Sequence, residues 1–420
     1  MIASLLTTAL LASSPVELHE ESRNLFAIRV GRAETASNGT IEHALILVEN
    51  GKITAIGEDL PVERGIPVYD RPDWVATPGW VVCSSRVGMD SRGGGGFEPQ
   101  ALASDELYAR QDVWGEVLDE GVTTLGLRAP GGGITGQAVA IKPHGSTVSE
   151  MIVADRVYLD LSMRANASAK KALRDAFDKV DQHDEKVQKA REKWEKEVEK
   201  AKKKKKSKKD DDKDKKAEDE EEAKGPGPFV APEPDPKIAP FIALREGTLS
   251  GVVSIARGAD YLHLLDVVED EDFAWSIRCS LRDDIDLWEL TEQIGEDQVR
   301  AILTSRVTLR AATRRERNIP AEFQRAGGKL ALLPNSDSAS GFAGWRHDVG
   351  HLVRAGLDRD AAIRAMTLEP AEVLGLGERL GSLDVDKDAN ILFWDGDPFE
   401  PATRIQAVML EGDLVKGELR

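Results

Sequence analysis

Two histidines of this chain have a spacing that suits a metal site. His347 and His351 are four residues apart within 346–355, whose pattern predicts a helix, so both imidazoles would lie on one helix face. Such a pair can bind zinc, but the Glu of a His-Glu-x-x-His motif is absent here. The sequence therefore predicts an ordinary helix, without a metal, at this place.

Serine and glycine clusters suggest other chemistry without completing it. Ser84, Ser85 and Ser338 could gather at one site, but no histidine is placed to act as their base, and a Gly-x-Ser-x-Gly elbow is absent. The glycine runs 93–96 and 131–133 lack both the P-loop Lys-Ser/Thr and the Rossmann spacing. We interpret both runs as loops.

The elements that must position these residues change in type along the chain. Residues 44–57 read as two alternating strands joined by Asn50-Gly51, a strong hairpin signal. After Pro240, strand 249–256, helix 258–269 and strand 275–279 follow one another, and 329–337 is a late strand with a polar end. Such alternation predicts a parallel sheet in an α/β fold.

Several segments together resemble the amidohydrolase superfamily, and most closely its imidazolonepropionase-like branch. They share Pro-Gly, Gly-Val-Thr-Thr, Thr-Leu-x-Pro-Ala, Gly-Ser-Leu and Lys-Asp-Ala-Asp patterns, the last with Asn390 in place of its final Asp, and they lie at 77–88, 121–126, 365–371, 380–383 and 387–398. The resemblance covers roughly 24–160 and 240–420. It implies a distorted (β/α)₈ TIM-like barrel from 77–164 and 240–377, with a small composite β-sandwich domain from 21–76 and 378–420.

The same resemblance locates a site and shows what has changed in it. The family's first metal motif is His-x-His after Pro-Gly, and here Ser84 and Arg86 occupy those two positions. Asp337 matches the family's final Asp, which contacts the metal and takes a proton from the attacking water. An exposed loop residue or helix N-cap is the alternative for Asp337. Neither 252–257 nor 277–281 contains the later histidines.

The remaining candidates are weaker matches to the family pattern. Lys142 lies near the bridging position, where a plain strand-end lysine is the simpler interpretation, and the role of His144 is open. Ser338 is a further candidate pocket residue. Although the family would use zinc, we expect no cofactor, because a permanently charged Arg86 repels a divalent ion. We therefore expect an Arg86–Asp337 ion pair in place of the metal.

Composition limits location and partners. A net charge of −18 argues against nucleic acid as a partner, since phosphate binding needs clustered cations. The apolar N-terminal run suits a signal peptide over 1–20, which predicts an exported or periplasmic protein; a short helix in a cytoplasmic protein is the alternative. It is too short to span a membrane, and we expect no transmembrane segment elsewhere. Cys83 and Cys279 could form one disulfide or none, and the place of Cys83 at the end of a buried-looking strand favours a reduced core thiol.

Residues 165–239 differ sharply from the rest of the chain. They combine a helix-favouring stretch at 170–200, opposed blocks of lysine and acidic residues, and a Pro-rich linker. Such blocks bury little apolar surface, so we expect a charged insertion that is helical, coiled-coil-like or disordered. It is a candidate surface for a protein partner.

These observations leave three hypotheses for function. The first is an amidohydrolase-related protein, of a lineage that hydrolyses C–N bonds, which has lost metal-dependent catalysis and binds a small molecule or peptide at the barrel mouth. The second is an active hydrolase of cyclic amides or peptides with an unorthodox metal or a metal-free site. The third is an interaction protein that works through the charged insertion.

Overall fold

We describe the chain from a computed structural model, which covers residues 24–89, 96–211, 227–282, 286–310 and 312–419. The expected signal peptide at 1–20 and most of the glycine run 93–96 lie outside these residues. Within them, no helix is both long and apolar enough to cross a membrane.

The elements run from short strands, through alternating strands and helices, back to short strands. The strands are β1 (Leu25–Glu34), β2 (Thr40–Glu42), β3 (Ala44–Glu49), β4 (Lys52–Glu58), β5 (Val68–Pro78), β6 (Trp80–Ser85), β7 (Gly96–Phe97), β8 (Val122–Leu127), β9 (Gly133–Ile134), β10 (Gly136–Gln137), β11 (Val139–Ile141), β12 (Ile152–Ala154), β13 (Tyr158–Ser162), β14 (Ser250–Ser254), β15 (Trp275–Cys279), β16 (Arg300–Thr304), β17 (Thr308–Leu309), β18 (Glu316–Arg317), β19 (Leu330–Leu333), β20 (Ile391–Trp394), β21 (Ile405–Leu410) and β22 (Asp413–Gly417). The α-helices are α1 (Asp112–Asp119), α2 (Val148–Met151), α3 (Ala167–Asp211), α4 (Ala239–Arg245), α5 (Gly258–Val268), α6 (Thr291–Glu296), α7 (Ile319–Arg325), α8 (Ala339–Arg354), α9 (Arg359–Met366) and α10 (Leu368–Val373).

Strands from the two ends of the chain join in one eight-stranded sheet. Its order is β22-β21-β20-β5-β1-β3-β4, with β2 paired to β1. β20 pairs antiparallel with β5, which links residues more than 300 positions apart in sequence. The hairpin predicted at Asn50-Gly51 is confirmed, because β3 pairs antiparallel with β4 and both turn residues have positive φ.

The central part of the chain forms two sheets of mixed direction, which contain the parallel strand pairs predicted from the alternation after Pro240. β13, β14, β15, β16 and β19 pair in parallel in that order, and β6 pairs in parallel with β8. The predicted strand 275–279 coincides with β15, and the predicted helix 258–269 with α5. Among the described residues, hydrogen bonds join these strands into two sheets and not into one closed ring. The fold is therefore mixed α/β.

Most residues of these parallel strands are buried, and polar side chains occur where the strands end. In parallel sheets the carboxyl ends of neighbouring strands meet at one edge. Ser84 and Ser85 end β6, Arg128 follows β8, and Ser254 ends β14. Polar side chains that are far apart in sequence therefore lie at the carboxyl ends of strands from both sheets.

The charged segment predicted as an insertion begins as part of the main core. α3 is 45 residues long, and near its start it buries Leu173, Ala176, Phe177 and Val180, each 4% exposed or less. Phe177 packs edge-on against Phe241, with ring centroids 5.5 Å apart. Beyond these turns most residues up to 203 are exposed. The first turns of α3 thus differ from the solvated helix that its composition predicts.

Candidate ligand-binding site

A buried arginine lies at the centre of the candidate site. From β15, Arg278 Nη1 donates a hydrogen bond of 2.7 Å to Ser84 Oγ, and Nη2 donates one of 2.8 Å to Asp160 Oδ1. Nη2 also donates to Ser254 Oγ. The Arg278 side chain is 11% exposed and that of Asp160 is 5% exposed. Three strands therefore hold one guanidinium in a fixed orientation.

Asp160 also forms an ion pair with a second arginine, Arg128. Its Oδ2 accepts a hydrogen bond of 3.0 Å from Thr135 Oγ1 and lies 3.9 Å from Arg128 Nη1. Burial alone would lower the pKa of Arg278, but attraction to Asp160 and Tyr158, the hydrogen bond to Asp160 and the nearby Cys83 together outweigh burial, and the pKa is raised. Burial, and then repulsion from Arg278, lower the pKa of Arg128. An arginine nevertheless keeps its charge at neutral pH, so one buried carboxylate faces two guanidinium groups.

These groups line a cavity of about 340 Å³ at the carboxyl ends of the strands. Its lining contains five arginines and one carboxylate, that of Asp160; the arginines are Arg86, Arg128, Arg164, Arg278 and Arg282. The glycine run 131–133 forms another part of the wall, and Gly131 and Gly133 have positive φ. The run predicted to be a plain loop is thus a loop that lines the cavity.

Two of the lining arginines have donors without acceptors. The Nε atoms of Arg86 and Arg128 are buried, and neither has a hydrogen-bond partner among the described residues. A buried donor left unpaired costs about 1–3 kcal/mol.

Asp337 lies near this site but does not pair with Arg86. Its Oδ1 accepts a hydrogen bond of 2.6 Å from Ser85 Oγ, which in turn accepts one of 3.1 Å from the backbone N–H of Val87. No N–O distance within 4.0 Å joins Arg86 and Asp337, although both belong to the described part of the chain. The expected ion pair is not formed, because the carboxylate binds the β6 end while Arg86 faces the cavity.

The other predicted site residues lie elsewhere. Lys142 Nζ binds Glu411 Oε2 at 2.5 Å, so this lysine ties β11 to the turn between β21 and β22. His144 is exposed and is not part of the cavity wall. Ser338 is the N-cap of α8, where its Oγ accepts from Gly341 N at 3.2 Å. Of the predicted set, the cavity brings together Arg86 and, through Arg278, Ser84.

The site does not fit the zinc ion that the family resemblance implies. Among the described residues, no group of three or more His, Cys, Asp or Glu side chains could hold a metal ion. His347 and His351 are exposed on α8 without a third ligand. At the position of the first family histidine, Ser84 instead contacts the Arg278 cation. A fixed guanidinium there repels a dication.

Sequence inspection missed the two residues that organise the site. Asp160 lies within the apolar strand β13, and Arg278 lies within β15. A charged residue inside an otherwise buried strand needs a partner. The presence of one acidic and one basic residue in two otherwise apolar strands could therefore have indicated that Asp160 and Arg278 pair.

A family model and one curated relative match parts of the chain. The model, described as the amidohydrolase family, matches residues 340–417. The relative, amidohydrolase tasK of Hapsidospora irregularis, is 39% identical over 57 residues, or 14% of this chain. The chain covers only 6% of the length of that relative.

Solved structures match nearly the whole chain. An amidohydrolase from Thermotoga maritima MSB8 has a TM-score of 0.73 and 19% identity, over 94% of this chain and 100% of that one. A prolidase complexed with N-methylphosphonate-L-proline has a TM-score of 0.51 and 13% identity, over the same shares. The predicted resemblance to the amidohydrolase superfamily is confirmed. This chain has the fold of amidohydrolases, and its segment 340–417 carries the sequence pattern of the amidohydrolase family.

Proposed function

We propose that this amidohydrolase-related protein binds an anionic small molecule in its arginine-lined cavity and does not carry out metal-dependent hydrolysis. The observation behind the proposal is the fixed position of Arg278, which contacts Ser84 at a family metal-ligand position. The cavity thus lies where an amidohydrolase has its metal site, but its arginines favour an anion in place of a metal cation. In a metal site, electron-rich protein side chains bind a cation. In this cavity, the cationic arginine side chains would bind an anionic ligand.

The charge distribution supports an anion. The chain as a whole carries a net charge of −18, yet the cavity wall contains five guanidiniums and a single carboxylate. An arginine can donate two parallel hydrogen bonds to a carboxylate or phosphate, which makes it the preferred residue for such groups.

Hydrolysis without a metal has less support in the geometry. Ser85 is fully buried, and its oxygen already accepts from Val87 N while its hydrogen is donated to Asp337. This hydroxyl has no path to a substrate carbonyl. Asp337 alone can orient water, but the described residues assemble no set of three ligands for the Lewis acid that would bring the pKa of bound water near 7. Loss of catalysis is therefore part of the proposal.

The proposal extends to the architecture around the cavity. We propose that the six-stranded and four-stranded sheets, which contain the parallel pairs, are parts of a distorted (β/α)₈ barrel, and that the eight-stranded sheet forms the small composite β-sandwich domain. Similarity in fold to the Thermotoga maritima amidohydrolase supports this arrangement. A protein partner for residues 165–239 and export of the chain remain predictions from the sequence.

The test is anion binding by the purified full chain. At low millimolar concentration, where general exclusion of these salts from the protein surface has little effect, citrate and inorganic phosphate should raise the melting temperature relative to chloride at the same ionic strength, because they bind the folded state. Arg86→Gln should abolish the rise, since it removes a cavity guanidinium. Arg64→Gln, which removes an exposed arginine outside the cavity, is the matched control and should keep it. Equal melting temperatures in all anions would refute the proposal.

A further inference from the structure

A second cavity adjoins the arginine-lined one. It has a volume of about 560 Å³ and shares four wall residues with the first cavity, namely Gly133, Leu161, Ser162 and Arg164. Leu161, Ser162 and Arg164 lie at or just after the end of β13, so the two cavities are neighbours at the carboxyl end of that strand. We call the two neighbouring cavities together the cleft.

The chemistry changes from one cavity to the next. The side chains of the second wall are mostly apolar; among them are Phe97, Ile134, Met163, Ala172, Leu173 and Val253. Arg164 is its one charged residue, and it lies at the junction, where its Nη1 donates to the backbone carbonyls of Met163 and Ser254 at 2.6 and 3.1 Å. The cleft therefore has a cationic end and an apolar end.

One wall of the apolar end comes from the beginning of α3. Asn166 precedes the helix, and Ser168, Ala169, Ala172 and Leu173 belong to its first turns. These are the turns next to the residues that pack into the main core. The segment that looked like an insertion in the sequence thus completes the cleft.

We infer that the ligand is an amphipathic oxyanion, with a carboxylate or phosphate head among the arginines and an aliphatic body against the apolar wall. This inference rests on the proposed function, because the head is the anion of that proposal. The body follows from the second cavity, since a purely polar anion would leave its apolar wall in contact with water. Burying that wall against a hydrocarbon chain is favourable in proportion to the area covered.

A chain-length series tests the inference by calorimetric titration of the full chain. Acetate, butyrate, hexanoate and octanoate carry the same head, so only the apolar body changes. We expect the affinity to rise about fourfold for each buried methylene, until the apolar end is filled. Octyl phosphate compared with octanoate identifies the preferred head. Octanol, which has no charge, should bind at least tenfold more weakly than octanoate.

A cavity-filling variant provides the structural control. Ala172 is exposed on α3 and lines the apolar end, so Ala172→Phe should occupy that space without disturbing the core. We expect Ala172→Phe to bind octanoate no better than acetate, while citrate binding is unchanged. Ala190→Phe, on the same helix beyond the cleft, should keep the full chain-length dependence.

The outcomes separate the two proposals. If citrate and phosphate bind through Arg86 but acetate and octanoate bind equally, the amphipathic ligand is ruled out and the anion site survives. If none of these anions binds, the anion site itself is wrong, and the inference fails with it. If octanol binds as tightly as octanoate, the head contributes nothing and the inference fails.

Discussion

Arg278 Nη1 lies 2.7 Å from Ser84 Oγ, so a buried cation contacts the residue at the first metal-ligand position of the amidohydrolase pattern. The same guanidinium is held from the other side by Asp160 at 2.8 Å. Hydrogen bonds from this one side chain therefore join the ends of three strands. In the metal-free site that we propose, these bonds would hold the strand ends together.

Removing this arginine should strongly destabilise the protein. Arg278→Met leaves the Asp160 carboxylate buried, with Thr135 and the more distant Arg128 as its remaining partners. Breaking a buried pair in this way costs about 3–5 kcal/mol in the free energy of unfolding. Urea denaturation of the purified variant measures the loss.

A double variant separates pairing from packing at this position. Arg278→Met combined with Asp160→Asn removes both charges, so it should be clearly more stable than Arg278→Met alone. If the double variant is less stable than the single one, the pair does not act as the electrostatic unit described here.

Divalent metal should be dispensable. Because the described residues place a guanidinium at the site and offer no set of three metal-ligating side chains, we expect elemental analysis of purified protein to find well below one zinc, iron or manganese per chain. A chelator should leave the melting temperature unchanged, since a metal bound only to the folded state would otherwise contribute to stability. A zinc enzyme treated in parallel serves as the control. Near-stoichiometric metal that lowers the melting temperature on removal would contradict the proposed site.

Replacing an apolar side chain by alanine should destabilise the protein more in the first turns of α3 than further along the helix. Phe177 is 3% exposed and packs against Phe241 and Phe273, so Phe177→Ala should cost about 3–5 kcal/mol. Val198 lies further along the same helix and is only partly buried, so Val198→Ala should cost about 0.5 kcal/mol or less. Chemical denaturation measures both. Equal losses would mean that the helix is one uniform element.

The cysteines should be inert in the folded protein. Cys83 and Cys279 are free and buried, and burial raises the pKa of each thiol to about 12. Since the thiolate is the reactive form, iodoacetamide at pH 8 should modify neither residue until the chain unfolds. Mass spectrometry with and without denaturant gives the readout. Rapid labelling of the native chain would show that these strands are open. The prediction that Cys83 is a reduced core thiol is confirmed.

Local patterns in the sequence predicted much of the fold. Asn50-Gly51 specified its hairpin because two neighbouring positive-φ residues suit that turn. The alternation after Pro240 predicted β14, α5 and β15, since hydrophobic periodicity depends only on nearby residues. α3 was predicted as a helix, but its packing was not, because the residues that cover Phe177 lie at 241 and 273.

The sequence by itself determined that the amidohydrolase pattern is present and that Ser84 and Arg86 replace its first metal ligands. Only the tertiary structure decided which charges meet. It paired Asp160 with Arg278 across 118 positions, and it turned Asp337 toward Ser85 and away from Arg86. The reason is physical: residue type fixes the charge of a group, whereas the strength of an interaction depends on distance and burial, which the folded strands alone set.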